Sequence, residues 1–153
     1  MMETPEIVQT QQRLTAAIRF TIPRDQIQTV MGPAIGEVMA AVAQQGIGPD
    51  GPVFSRHFRM DPEVFDFEVG VPVRSAVEPV GRVRPSSLPA AKVVRTVYQG
   101  PYEGLGAAWG ELCEWAQAHD HPTADDLWEY YVAGPETDPN PATFRTELNR
   151  PIR

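Results

Sequence analysis

Cysteine is almost absent from this chain. Cys113 stands alone, so no intrachain disulfide can form, and a reducing compartment, the cytoplasm, is the expected setting. It lies in a helical pattern beside core positions, which predicts an inert buried thiol and not a nucleophile. Long apolar runs are absent too. None approaches the ~18 residues that span a bilayer, and the opening Met-Met-Glu-Thr-Pro lacks the basic and apolar regions of a signal peptide, so no membrane association is expected. Positive charge is scarce: a net charge of −7 and a pI near 4.9 argue against direct nucleic-acid binding, which draws on clustered Lys and Arg.

Recognisable catalytic signatures are lacking as well. No nucleophile elbow or other serine signature occurs, and Gly104-Leu-Gly106 with Gly110 has the wrong spacing for a phosphate loop. His119 and His121 flank Asp120 near a helix end while His57 is distant, so no metal site and no cofactor is expected. With 153 residues and 42% hydrophobic content, the chain has material for one domain with a real core.

What is present is an internal repeat. Leu14-Thr-Ala-Ala17 resembles Leu88-Pro-Ala-Ala91, 74 positions later. At the same offset Met31-Gly-Pro-Ala-Ile-Gly-Glu-Val38 lies over Leu105-Gly-Ala-Ala-Trp-Gly-Glu-Leu112, and Val53 to Phe58 lies over Leu127 to Val132. Phe67 to Val73 matches Thr146 to Ile152 at an offset of 79, which puts a five-residue insertion near Glu136 to Thr143.

Each copy reads as a β-rich run, a break at Pro23 or Gly100-Pro101, an amphipathic helix, then two strands separated by a turn at Asp61-Pro62 or Pro135 to Pro141. Met31, Ile35, Val38 and Val42 carry the helical period in the first copy, and Leu105, Trp109, Leu112 and Ala116 in the second. The expected fold is α+β: two pseudo-symmetric strand-helix-strand-strand modules, an antiparallel sheet with two helices packed on it, and a ligand cleft between the modules. The first copy is placed at about 5–73, a linker at 74–87 and the second copy at about 88–153. Gly32, Gly36, Gly106 and Gly110 are read as small residues permitting close helix packing.

The candidate chemistry rests on carboxylates and aromatics. Alternation along Leu127 to Val132 puts Leu127, Glu129 and Tyr131 on one face and Trp128, Tyr130 and Val132 on the other. Taking the larger apolar set as the helix-covered face, Glu129 points away from its own helix and into the cleft. A carboxylate among Trp128, Tyr130 and Tyr131 suits a flat or cationic ligand, since ring faces and negative charge both attract cations; an ordinary surface glutamate fits the pattern equally. Glu147 and Glu68 match across the copies, which favours a structural role and leaves Glu147 a secondary candidate. Tyr98 and Tyr102 bracket Gln99-Gly-Pro101 at the strand-helix junction, where either could overhang a cleft.

The Tyr98-Gln-Gly-Pro-Tyr102 turn before a Trp-bearing helix, then Leu127-Trp-Glu-Tyr-Tyr131, then Phe144-Arg-Thr-Glu-Leu148 and Pro151-Ile152, resembles the GyrI-like family, the effector-binding domains found fused to AraC-type and MerR-type bacterial regulators. The resemblance covers nearly the whole chain. It implies the two-module fold with a ligand cleft, and a central glutamate among aromatics that meets lipophilic cations in multidrug-binding members; by motif position that glutamate is Glu129. Phe144 stands where a tyrosine is familiar in drug-binding members, so a hydroxyl contact is missing. About a dozen residues precede the first strand and no helix-turn-helix fits, so a stand-alone member is expected.

The first expectation is thus small-molecule binding involving Glu129, Tyr131, Trp128, Tyr98, Phe144, Glu147, Tyr102 and His57. The alternative is a hydrolase opening cyclopropane-bearing electrophilic toxins, with Glu129 or Glu147 as general base and Tyr98 or Tyr131 as donor. A third is a modulator whose partner is DNA gyrase.

Overall fold

The computed structural model describes residues 2–134 and 138–153, and for Met60 the backbone alone. Its strands are β1 (Glu6–Gln9), β2 (Arg13–Pro23), β3 (Phe54–Met60), β4 (Val64–Pro72), β5 (Arg84–Leu88), β6 (Lys92–Gln99), β7 (Leu127–Ala133) and β8 (Arg145–Pro151), with helices α1 (Ile27–Gln45) and α2 (Leu105–Ala118). Every strand pair within a unit is antiparallel. The class is α+β, and the chain divides into two compact units: residues 11–90, and residues 1–10 with 91–153.

In the unit of residues 11–90, the strand order is β3-β4-β2-β5, with α1 on one face. Alternation brings Ala16, Ile18 and Phe20 of β2 opposite Val71, Val69 and Phe67 of β4, one row of apolar side chains on a single face. Helix α1 answers with Ala34, Val38, Ala41 and Val42 at i, i+4, i+7 and i+8, all buried. Gly46 ends the helix in the left-handed conformation at φ 68°, which its missing Cβ allows.

The other unit repeats the plan with the order β1-β6-β8-β7. Val94, Tyr98 and Leu148 form the sheet side of its core, and Ala108, Leu112 and Ala116 of α2 pack on them. Leu112 is fully buried, so Leu112→Ala should cost about 2–5 kcal/mol. Both helices start with a single 3₁₀ turn, Arg24–Gln26 and Tyr102–Gly104.

Two expectations need correction. The segment 74–87 is not simply a linker, because β5 lies within and beyond it and pairs with β2 from Arg13↔Leu88 to Ala17↔Arg84. It escaped notice because it is an edge strand, where Pro85 is tolerated and apolar alternation is not required. Conversely, residues 6–9 belong with the second copy, since β1 pairs with β6. The four strands of each unit thus include a short edge strand from the segment that leads into the other copy. Second, a Cβ added at Gly32, Gly36, Gly106 or Gly110 would meet nothing within 4 Å, so these glycines do not serve close helix packing. The expected insertion and turn near residues 135–143 fall partly on 135–137, outside the described residues. Beyond them Asn140 caps the 3₁₀ turn Pro141–Thr143 through Ala142 N–H.

Candidate functional site

The register of β7 on β8 decides which way Glu129 faces. Glu129 lies opposite Leu148 and Tyr131 opposite Thr146, and Leu148 belongs to the core beneath α2. Glu129 and Tyr131 therefore stand on the helix-covered face, and the expectation that Glu129 points away from its own helix is wrong. The larger apolar set misled because that stretch of strand is buried on both faces. Trp128 and Tyr130 are buried on the opposite face, while Val132, expected under the helix, is 51% exposed. Trp128 consequently does not join Glu129.

Glu129 is 8% exposed, and neutral donors hold both of its oxygens. The Trp109 indole N–H, from α2, donates to Oε2 over 3.0 Å, and the Tyr131 hydroxyl donates to Oε1 over 3.0 Å. Above them the Tyr102 ring meets Tyr131 edge-on, with centroids 5.9 Å apart and planes at 73°, and lies against Phe144 at 5.0 Å and 32°. Phe144 is buried, whereas Tyr102 keeps 37% of its surface in solvent. Such pairs prefer edge-to-face and offset arrangements because of the ring quadrupole.

The turn between β6 and α2 brings these rings together. Gly100 adopts φ 146° and its N–H donates to the Phe144 carbonyl over 2.9 Å. Tyr98 is buried beneath, donating its hydroxyl to the Pro101 carbonyl over 2.8 Å. A Cβ at Gly104 would collide with that hydroxyl, so Gly104 is what lets the turn close over Tyr98. Tyr98 thus supports the turn that carries Tyr102, and its phenol is engaged by backbone.

The remaining candidates lie elsewhere. Glu147 is on the opposite face of this unit's sheet, 3.2 Å from Arg95, and accepts from Asn149 Nδ2 over 3.2 Å; Arg95 Nε also donates to Asn149 Oδ1 over 2.8 Å. His57 belongs to the other unit. It is 7% exposed and stacks on Phe67 at 5.1 Å with Phe65 edge-on at 5.0 Å. Burial, and secondarily the charge of Arg24, push its pKa down to about 4, so the ring is neutral at pH 7.

Charge is uneven between the units. The unit bearing Glu129 has five basic and twelve acidic residues, whereas the other has eight of each, so the whole net charge of −7 belongs to the former. Such a field raises the local concentration of cations. Among the described residues no group of three His, Cys, Asp or Glu side chains could hold a metal ion; His119 and His121 instead lie against the Trp115 ring. No helix of the described residues is long and apolar enough to cross a membrane.

Trp109 was read from sequence as core only, yet an indole at a half-buried helix position needs a partner for its N–H. That requirement was the available signal for an acceptor nearby.

The chain is thus an α+β unit built twice over, one copy of which carries an aromatic-walled carboxylate. The GyrI-like small molecule binding domain family matches residues 3–153, and the chain belongs to that family. No curated protein matches it. Among solved structures, the EcmrR C-terminal domain superposes with a TM-score of 0.84 at 18% identity over 98% of this chain and 97% of that one. The chain spans 57% of the EcmrR chain seen in complex with DNA. SAV2435 bound to tetraphenylphosphonium aligns with a TM-score of 0.65 at 12% identity, covering 99% and 94% of the two chains. A hydrolase from Listeria innocua aligns with a TM-score of 0.64 at 13% identity, covering 97% and 91%. At these identities the likenesses establish the fold.

Proposed function

We propose that the cluster around Glu129 binds a lipophilic aromatic cation. The observation that carries this reading is the buried Glu129 carboxylate, held by two neutral donors beneath the Tyr102, Tyr131 and Phe144 rings. A delocalised cation gains from the carboxylate by charge and from the ring faces by their quadrupoles, while its apolar body replaces water against the rings. SAV2435, similar in fold, was solved with a cation of this class. Tyr102, the exposed ring, is the side chain a ligand meets first.

The test is a titration of tetraphenylphosphonium and of neutral triphenylphosphine oxide into wild type and Glu129→Gln. The expected result is about a tenfold loss for the cation, the equivalent of ~1.4 kcal/mol, with little change for the neutral compound. Equal losses for both, or no binding of the cation by wild type, would overturn the reading.

The Tyr131–Glu129 contact also favours a second reading, hydrolysis of an electrophilic cyclopropane conjugated to a dienone. Here Glu129 takes a proton from water as the new C–O bond forms and a cyclopropane C–C bond breaks. The electron pair moves onto the carbonyl oxygen, which Tyr131 hydrogen-bonds once its hydroxyl turns from Glu129 to the substrate, and which ends protonated. Glu147, across the sheet, and Tyr98, engaged with Pro101, drop out of this role. Ring-opened product beyond one equivalent per protein, lost in Glu129→Gln, is the expected sign; a single equivalent leaves binding alone.

A further inference from the structure

Thr146 is fully buried, and its Oγ1 has no hydrogen-bond partner among the described residues. Leaving a buried hydroxyl unsatisfied is costly, so such a group in a native structure calls for an explanation. Its place in the fold supplies one. Thr146 sits on β8 directly opposite Tyr131 of β7 and Tyr98 of β6. It is two residues from Phe144 and from Leu148, on the helix-covered face. It is thus the floor position of the cluster whose rim is Tyr102 and whose charged group is Glu129.

We infer that Thr146 is a specificity-determining contact of this site, its hydroxyl hydrogen-bonding a polar group of the bound cation. The inference rests on the cation-binding reading of Glu129 and deepens it. The site selects, among aromatic cations, those that carry a hydroxyl or carbonyl on the ring that enters deepest. Entry displaces the Tyr102 ring, the exposed member of the stack, and opens the row beneath it. Before binding, the orphaned hydroxyl is a local destabilising element; after binding, it is satisfied.

Two orphaned hydroxyls among the described residues allow a controlled test. Thr15 Oγ1 is likewise buried without a partner, but on β2 of the other unit, between Pro72 and Ser86. Tetraphenylphosphonium and (4-hydroxyphenyl)triphenylphosphonium share charge and shape and differ by one hydroxyl. Affinities for both are measured by titration in wild type, Thr146→Val, Thr146→Ser and Thr15→Val, together with the melting temperature of each unliganded protein.

Thr146→Val should raise the unliganded Tm by about 2–4 °C. It should also weaken the hydroxylated cation about fivefold, the size of one neutral hydrogen bond, while leaving tetraphenylphosphonium unchanged. Thr146→Ser should keep the preference, and Thr15→Val should raise Tm with no effect on either affinity. A fall in Tm for Thr146→Val, or equal effects on the two cations, overturns the inference while the cation-binding reading stands. Failure of wild type to bind either cation overturns that reading instead.

Discussion

The indole N–H of Trp109 and the carboxylate of Glu129 join α2 to β7 by a hydrogen bond of 3.0 Å within the aromatic cluster. One link serves two ends. It satisfies a half-buried donor on the helix, and it holds one carboxylate oxygen while Tyr131 holds the other. A cation approaching the site therefore meets a carboxylate whose position is already set, and loses little to reorganisation on binding.

Trp109→Phe keeps an aromatic body on α2 and removes the donor. Hydrogen bonds to charged groups contribute about 1.5–3 kcal/mol, so the variant should melt several degrees below wild type. Combined with Glu129→Leu, which removes the acceptor, in a double-mutant cycle, it should show a coupling of about 1 kcal/mol, because each single change already breaks the same link. Strict additivity in thermal melts of the four proteins would show that the contact carries no energy.

Glu147 offers the contrast. It is ion-paired with Arg95 on the opposite face from Glu129, and both side chains are about a quarter exposed, at 23% and 26%. Pairs of this kind contribute under about 1 kcal/mol. Glu147→Gln, which keeps the shape and an acceptor for Asn149, should change stability by less than that. It should also leave tetraphenylphosphonium affinity within about twofold. A loss as large as that of Glu129→Gln would place Glu147 in the binding site.

The repeat was legible because the same helix and strand residues recur 74 positions apart, and the helix cores, Val38 and Val42 or Leu112 and Ala116, follow from their spacing alone. The edge strands β1 and β5 were not, since a short edge strand needs neither apolar alternation nor freedom from proline. Glu129, Tyr131, Tyr102 and Phe144 were named from the sequence and meet in one cluster. The face of β7 was not readable, because Trp128 and Tyr130 are as buried on one side as Glu129 is on the other, and hydrophobicity cannot choose between two covered faces. The partner element had to decide: only the β8 register, with Leu148 in the helix core, tells which side α2 covers. Thr146 gave no signal at all, since a threonine in a strand is unremarkable until its hydroxyl is seen to lack a partner among the described residues.

His57 makes the unit of residues 11–90 sensitive to acid. Its pKa lies at about 4 in the folded chain, lowered from 6.5 mainly by burial among Phe65 and Phe67 and secondarily by Arg24. The sign follows from linkage: with the folded value depressed, the unfolded chain binds the proton more readily. Stability is full above pH 6.5 and falls as the pH drops from 6.5 toward 4, by about 3 kcal/mol in total from this one group. Below pH 4 the ring protonates in both states and this loss grows no further. His57→Phe keeps an aromatic ring in the stack and cannot titrate. Melting curves of wild type and variant should therefore nearly coincide at pH 7.5 and separate on acidification. At pH 5 wild type should have lost about 5 °C relative to the variant, while the carboxylates that titrate in both proteins cancel in the comparison. Parallel pH profiles for the two proteins would mean that His57 charges without penalty, and that the ring has water or an acceptor within reach when it is protonated.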